Sequence, residues 1–260
     1  MTLPCTEFGA GSALVLLHAF PLDRTLWDDV AAPLAQGGWR VIVPDLPGFG
    51  ADTTPAASME DMADRVVVLL QSLGVHSAVF AGCSMGGYVA LALAAQHPER
   101  TAGLVLIDTK ASADGEDARA NRARIAAHVE RSGSMDALAA TQPEAMLAPS
   151  TLEHRREVAQ WLRDTVLAQR PSAVAAAQRA MAVRSEHLDT LRALHVPVLC
   201  VRGADDRIST AEDQAAMVRA AGDALDVTIP DAGHLVPREQ PEALVTAMRS
   251  FLAHLRAPHC

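Results

Sequence analysis

Lysine is almost missing from this sequence: Lys110 stands alone among 22 basic residues, and all the others are arginine. With the heavy use of alanine, this reads as compositional bias and carries no functional message. Basic residues are also outnumbered, giving a formal net charge of −9, which argues against nucleic acid as a partner. Aromatic residues make up only 3% of the chain, a composition poorly suited to a pocket that stacks large aromatic substrates. The four cysteines, at positions 5, 83, 200 and 260, show no CxxC spacing and no paired pattern. They exclude a disulfide framework and read as free thiols in a reducing compartment. The apolar run "ALVLL" (13–17) falls far short of a membrane span, and no basic segment leads into an apolar one at the start. The expectation is a soluble, cytoplasmic protein with neither nucleic acid nor membrane as a partner. There is no HExxH, His128 and His154 lack ligand spacing, and "GAGS" (9–12) precedes a strand instead of opening a helix. No metal and no cofactor are expected.

What the chain does contain is alternation. Half of its 260 residues are hydrophobic, enough for one compact domain with a large core. Short apolar runs at 13–17, 41–45, 78–82, 103–108, 196–203 and 225–230 are nearly continuous, as in strands buried on both faces of a parallel sheet. Helical patterns lie between most of them, so the fold class is α/β. The rhythm breaks over 110–195, where roughly four helices are punctuated at "SGS" (132–134), "APS" (148–150) and "RPS" (170–172). This interval reads as a helical lid on a core made of 1–109 and 196–260. It carries 12 basic and 11 acidic residues, whereas the rest carries 10 and 20. Solvated helix faces explain that contrast most simply; a lid that accepts an anionic substrate is the functional alternative.

Chemistry concentrates at "GCSMG" (82–86). Ser84 falls between a buried strand and the helical run that follows, where a tight turn would leave its hydroxyl above the sheet. The flanking glycines at two residues' distance leave room for neighbouring chain. A hydroxyl needs a base to become a nucleophile, and the base needs a group to orient it. "VPVLCVRGADDR" ends a strand at Gly203 and supplies Asp205 and Asp206; "LDVTIPDAGHLVP" ends another near Pro230 and supplies His234. Asp108 closes "GLVLID" and is a third candidate for the acid. Catalytic groups in open α/β sheets gather at such carboxyl ends. Cys83 occupies a variable position beside Ser84 and is not placed as a nucleophile. Met146, Met181, Trp161 and Leu162 could line a pocket, though such residues more often pack helices.

Taken together, "LLHAFPLDRTLW" (16–27), "VIVPDLPGFGAD" (41–52), "GCSMGGYVALALAAQHPERTAGLVLIDT" (82–109), "VPVLCVRGADD" (196–206) and "DAGHLVPREQPE" (231–242) resemble the α/β-hydrolase superfamily. Within it they resemble the small capped esterases and lactonases of the 3-oxoadipate enol-lactonase-like group. The resemblance implies a mostly parallel sheet flanked by helices, with a helical lid inserted between two core strands. It further implies Ser84 as nucleophile, His234 as base, Asp206 as its orienter, and the backbone N–H groups of Phe20 and Met85 as oxyanion donors. Asp108 and Asp205 stand as alternative acids, and His18 corresponds to the family's structural histidine.

Two departures stand out. His18-Ala19 replaces the family's usual His-Gly, adding a Cβ beside the oxyanion segment. Few residues precede the first core strand, where relatives usually carry an extra hairpin, so either one or both edge strands are lost or 1–10 forms a minimal one. An exposed edge would call for cover, such as a second subunit in a homodimer. The implied activity is hydrolysis of a small carboxylic ester, lactone or thioester, with an anionic group on the substrate as a further expectation. The alternatives are acyl transfer, perhydrolysis or C–C bond hydrolysis on the same fold, or a ligand receptor with slow turnover.

Overall fold

The structure, a computed structural model, describes residues 2–255; Met1 and residues 256–260, with Cys260, lie outside it. The first half of the chain runs β1 (Cys5–Phe8), β2 (Ser12–Leu17), α1 (Asp28–Gln36), β3 (Trp39–Pro44), α2 (Met59–Ser72), β4 (Ala78–Cys83), α3 (Met85–Gln96) and β5 (Thr101–Ile107). Six helices follow: α4 (Glu116–Ser132), α5 (Asp136–Met146), α6 (Pro149–His154), α7 (Arg156–Leu167), α8 (Pro171–Ala182) and α9 (Leu188–Ala193). The chain then returns through β6 (Val198–Gly203), α10 (Ala211–Ala221), β7 (Ala224–Ile229), α11 (Val236–Glu239) and α12 (Pro241–His254). Among these described residues, no helix is long and apolar enough to cross a membrane.

One seven-stranded sheet in the order β1-β3-β2-β4-β5-β6-β7 organises the whole. Only β1 runs antiparallel, pairing Cys5 with Pro44 and Phe8 with Val41 of β3. Of the two alternatives left open for 1–10, the structure has the second, a minimal edge strand, β1. Its sequence, Cys-Thr-Glu-Phe, has no apolar run to announce it, and its two middle residues are exposed. The strands β2, β4 and β5 are buried along nearly their whole length, because helices cover both faces of the sheet. By contrast β7 buries only Ile229, as befits an edge strand with one side open.

Sheet order places the site. The chain goes from β2 to β3 on one side and then crosses to β4 on the other, so a crevice opens at the carboxyl ends of β2 and β4. Their register, Leu17 opposite Gly82, brings the segment after Leu17 beside the turn after Cys83.

The interval between β5 and β6 is entirely helical, but with six helices instead of roughly four. The punctuation at 132–134, 148–150 and 170–172 falls at helix ends: Gly133 closes α4 in the left-handed region, while Pro149 and Pro171 open α6 and α8 at their first turn. The extra break comes at Arg155 (φ −127, ψ 62), which separates α6 from α7 with neither glycine nor proline to mark it. The short α9 is the sixth. This insertion is fastened to the sheet layer by polar contacts. Arg170 donates to the carbonyls of Gly48, Gly50 and Asp52, and Trp161 Nε1 donates to Thr25 Oγ1 while its ring lies under the Arg238 guanidinium. Met146, Leu162 and Met181 are buried in the core, as helix-packing residues are.

Candidate functional site

Ser84 sits at the turn from β4 into α3 with φ 52 and ψ −113, a left-handed conformation that a non-glycine residue adopts only when its surroundings enforce it. The enforcement is visible in the flanking glycines. A Cβ on Gly82 would lie 2.2 Å from the Gly86 carbonyl oxygen, and one on Gly86 would lie 2.1 Å from that of Leu17. No other residue type fits either position without moving the backbone. On the far side, Thr109 Oγ1 donates to the Ser84 carbonyl at 2.8 Å, fixing the turn to the end of β5.

Ser84 Oγ lies 2.8 Å from His234 Nε2. The other ring nitrogen, Nδ1, is 2.9 Å from each carboxylate oxygen of Asp206. Facing two carboxylate oxygens, Nδ1 must carry a proton, so in the neutral ring Nε2 is free to accept from the Ser84 hydroxyl. The three groups come from the ends of β4, β6 and β7, which the sheet brings to one edge. Ser84 remains 9% exposed, while His234 and Asp206 are buried.

The three candidate acids separate clearly in space. Asp206 faces the imidazole and is held there by the N–H groups of Ile208 (2.8 Å) and Ser209 (3.2 Å) and by a short hydrogen bond from Ser209 Oγ. Asp205, its neighbour, is exposed to solvent and only its backbone N–H is engaged, by the Ala232 carbonyl. Asp108 is buried and turned to the backbone, accepting from Gly203 N at 2.8 Å and from Val236 N at 3.1 Å.

Electrostatics follows from these positions. Burial raises the Asp206 carboxyl, but the charge of His234, its hydrogen bond and those from Ser209 and Ile208 outweigh burial and hold it below the ordinary value. Asp108 has no such cation in hydrogen-bond contact. Burial first, and then the charge of Asp206, push it up to about 8. Burial lowers His234, yet the charge and hydrogen bond of Asp206, followed by the charges of Asp108 and Glu239, raise the imidazole above its ordinary 6.5. Cys83 is buried beside the site and its thiol is pushed well up, first by burial and then by the surrounding carboxylates.

The segment after β2 lies beside the turn that carries Ser84. Leu46 N–H donates to His18 Nε2 at 2.9 Å, so His18 carries its proton on Nδ1 and donates to the Ala19 carbonyl at 3.0 Å. Burial lowers its pKa and keeps it neutral. His18 therefore braces the loop bearing Phe20, and it is remote in role from the Ser84–His234 pair. Ala19 lies fully buried and outside the left-handed region, so its Cβ is accommodated without strain. Met85 opens α3, and its N–H is among the first-turn donors that have no acceptor within the helix.

Three side chains around the site carry no signal in the sequence pattern. Ser209 and Thr109 are single hydroxyls in loops; Ser209 bonds Asp206 within its own loop, and Thr109 bonds Ser84 across from β5. Glu239, in "VPREQP", resembles a solvated helix residue, yet it is 1% exposed and accepts from groups on both sides of the site.

Comparison with known proteins agrees with this fold. The model of the alpha/beta hydrolase fold family matches residues 12–241. A thermophilic esterase from Thermogutta terrifontis, solved with malate bound, is 41% identical; the match covers 97% of this chain and 93% of that one, with a TM-score of 0.92. The 3-oxoadipate enol-lactonase 2 of Acinetobacter baylyi is 27% identical over 243 residues, covering 92% of this chain and 88% of the lactonase. Some relatives are much longer: the match to bifunctional epoxide hydrolase 2 of Rattus norvegicus, 34% identical over 107 residues, covers 40% of this chain and only 19% of that protein. This chain belongs to the alpha/beta hydrolase family, and its likeness extends to members of the esterase and lactonase type.

Proposed function

We propose that the chain is a serine hydrolase acting on a small carboxylic ester, lactone or thioester through an acyl-enzyme. The observation that carries this reading is the unbroken line of hydrogen-bond contacts from Ser84 Oγ through both nitrogens of His234 to Asp206. In the first half-reaction Ser84 Oγ attacks the substrate carbonyl as its proton passes to His234 Nε2. The Phe20 and Met85 N–H groups receive the developing oxyanion; a donor so placed is typically worth about 3 kcal/mol in the transition state. The tetrahedral intermediate collapses, and the leaving alcohol or thiol takes the proton from His234. In the second half, water gives a proton to His234 and adds to the acyl carbonyl. Collapse then releases the acid and returns the proton to Ser84. Asp206 stays ionised throughout and stabilises the imidazolium.

The insertion over 110–195 serves as the lid of this site. The malate bound to the Thermogutta esterase supports a carboxylate-bearing substrate, as does the near-balanced charge of the insertion over an acidic body. The thiols of Cys5, Cys83 and Cys200 are free, which suits a reducing compartment such as the cytoplasm.

The test is hydrolysis of short and medium p-nitrophenyl esters by wild type and Ser84→Ala side by side. The reading expects multiple turnovers by wild type and a loss of roughly 10³-fold or more in the variant. Equal, feeble rates in both would remove Ser84 as nucleophile and bring forward a receptor with slow turnover. Matched neutral and anionic esters test the substrate class, through a higher kcat/KM for the anionic member.

A further inference from the structure

The loop that carries His234 rests directly on the helical insertion. His234 N–H donates to the Met146 carbonyl at 2.7 Å, and a Cβ on Gly233 would lie 2.5 Å from that same oxygen and 2.7 Å from Ala148 N. One buried carboxylate spans the seam. Glu239 Oε1 accepts from the N–H groups of Gly233 (2.9 Å) and Leu235 (3.2 Å), the residues on either side of His234. Glu239 Oε2 accepts from Ala148 N (2.7 Å) and Thr151 Oγ1 (2.8 Å), both in the insertion. From the insertion side, Arg155 Nη1 reaches back to the Glu239 carbonyl at 2.7 Å.

We propose that Glu239 is a positioning residue that holds His234 in line with Ser84 and ties that alignment to the seating of the helical insertion. The inference rests on the serine hydrolase reading above, because it requires His234 to be the base. Its physical basis is the donor count. Four donors converge from two directions on a group that offers only acceptor lone pairs. Rotation of the imidazole about its own side-chain bonds is constrained by Asp206, but the backbone from which it hangs is constrained by Glu239. A carboxamide cannot replace the carboxylate here. Its NH₂ group would face either the two N–H groups flanking His234 or the Ala148 N–H, and a donor facing a donor pushes the two sides apart. Small displacements of a base from its nucleophile are costly in rate.

The test uses Glu239→Gln and Thr151→Val, with Ser84→Ala as reference, all checked by thermal melting and assayed on one p-nitrophenyl ester across pH. Thr151→Val removes one donor on the insertion side and leaves both donors flanking His234. Glu239→Gln should lower kcat about tenfold or more with KM little changed, and Thr151→Val about threefold. The groups facing His234 are Asp206, Asp108 and Glu239. Replacing the last by a neutral amide removes a negative charge, so the acid limb of kcat/KM should move to lower pH, which loss of packing alone would not produce. Should Glu239→Gln fail to fold, Thr151→Val decides. Wild-type kcat, KM and acid limb in the folded variants, with Ser84→Ala inactive, would overturn the proposal and leave the serine reading standing. An effect confined to KM would also overturn it. Turnover surviving in Ser84→Ala would instead sink the reading on which it rests.

Discussion

Asp206 and Asp108 close neighbouring strands, are both buried, and both sit within reach of the His234 loop, yet they end in opposite charge environments. Asp206 points at the imidazole Nδ1 and is held below the ordinary carboxylate value; Asp108 points at two backbone N–H groups and is pushed up to about 8. Burial acts on both in the same direction. What separates them is a partner that can carry positive charge. The imidazole favours the ionised form most strongly in the carboxylate that touches it, and in the mechanism proposed above that carboxylate is the one placed to stabilise an imidazolium. Asp108 works as a brace, joining the start of the loop after β6 to the loop after β7.

The largest effect that could break this contrast belongs to Asp206→Asn. An amide in place of the carboxylate fixes the wrong tautomer and cannot stabilise the imidazolium, so kcat should fall about 10³- to 10⁴-fold in a steady-state ester assay. Asp108→Asn should cost about tenfold or less in the same assay, through loosening of the His234 loop. Comparable losses in the two variants would mean that the roles are shared or reversed.

A pH series sharpens the comparison through stability. Asp108, with its folded pKa raised to about 8, keeps its proton in the folded state over a range where the unfolded chain has lost it. Proton binding by the folded state then makes wild-type stability fall as pH rises from about 4 towards 8, and Asp108→Asn removes that dependence. The Tm of the variant relative to wild type should therefore improve between pH 5 and pH 8. A constant Tm difference across that interval would show that Asp108 is not perturbed as described. Asp206 has the opposite sign: its lowered pKa gives stability that is present above the unfolded value and lost as pH falls through the folded one. The activity profile adds a separate check, since kcat/KM should drop as pH falls through a His234 pKa lying above 6.5. The smallest effect belongs to Asp205→Asn. Its side chain is exposed, so activity and Tm should match wild type within error.

The same contrast marks how far the sequence could be read. Strand ends were legible because β2, β4, β5 and β6 are continuous apolar runs, and their order with the serine, aspartates and histidine pointed to one edge of a parallel sheet. Ser84 stood out because its two glycines are steric necessities, which any sequence on this turn must meet. Choosing among Asp108, Asp205 and Asp206 was beyond periodicity. Adjacent residues on a loop differ only in direction, and direction is set by contacts such as Ser209 to Asp206 that arise from the folded loop. The break at Arg155 was illegible, and the strand β1 undecided, for a related reason: neither has a local marker, and both depend on what packs against them. Glu239 was hidden because a glutamate in a charged-looking helix start is normally solvated, and only the docking of the insertion encloses it.

Covalent trapping tests Ser84 as nucleophile most directly. Wild type, Ser84→Ala and Asp206→Asn would be treated with a fluorophosphonate ester, with intact mass followed over time and the labelled peptide mapped. The expected result is a single phosphonyl adduct on Ser84 in wild type, none in Ser84→Ala, and labelling slowed by orders of magnitude in Asp206→Asn. An adduct on another residue, or labelling of Asp206→Asn at the wild-type rate, would contradict it.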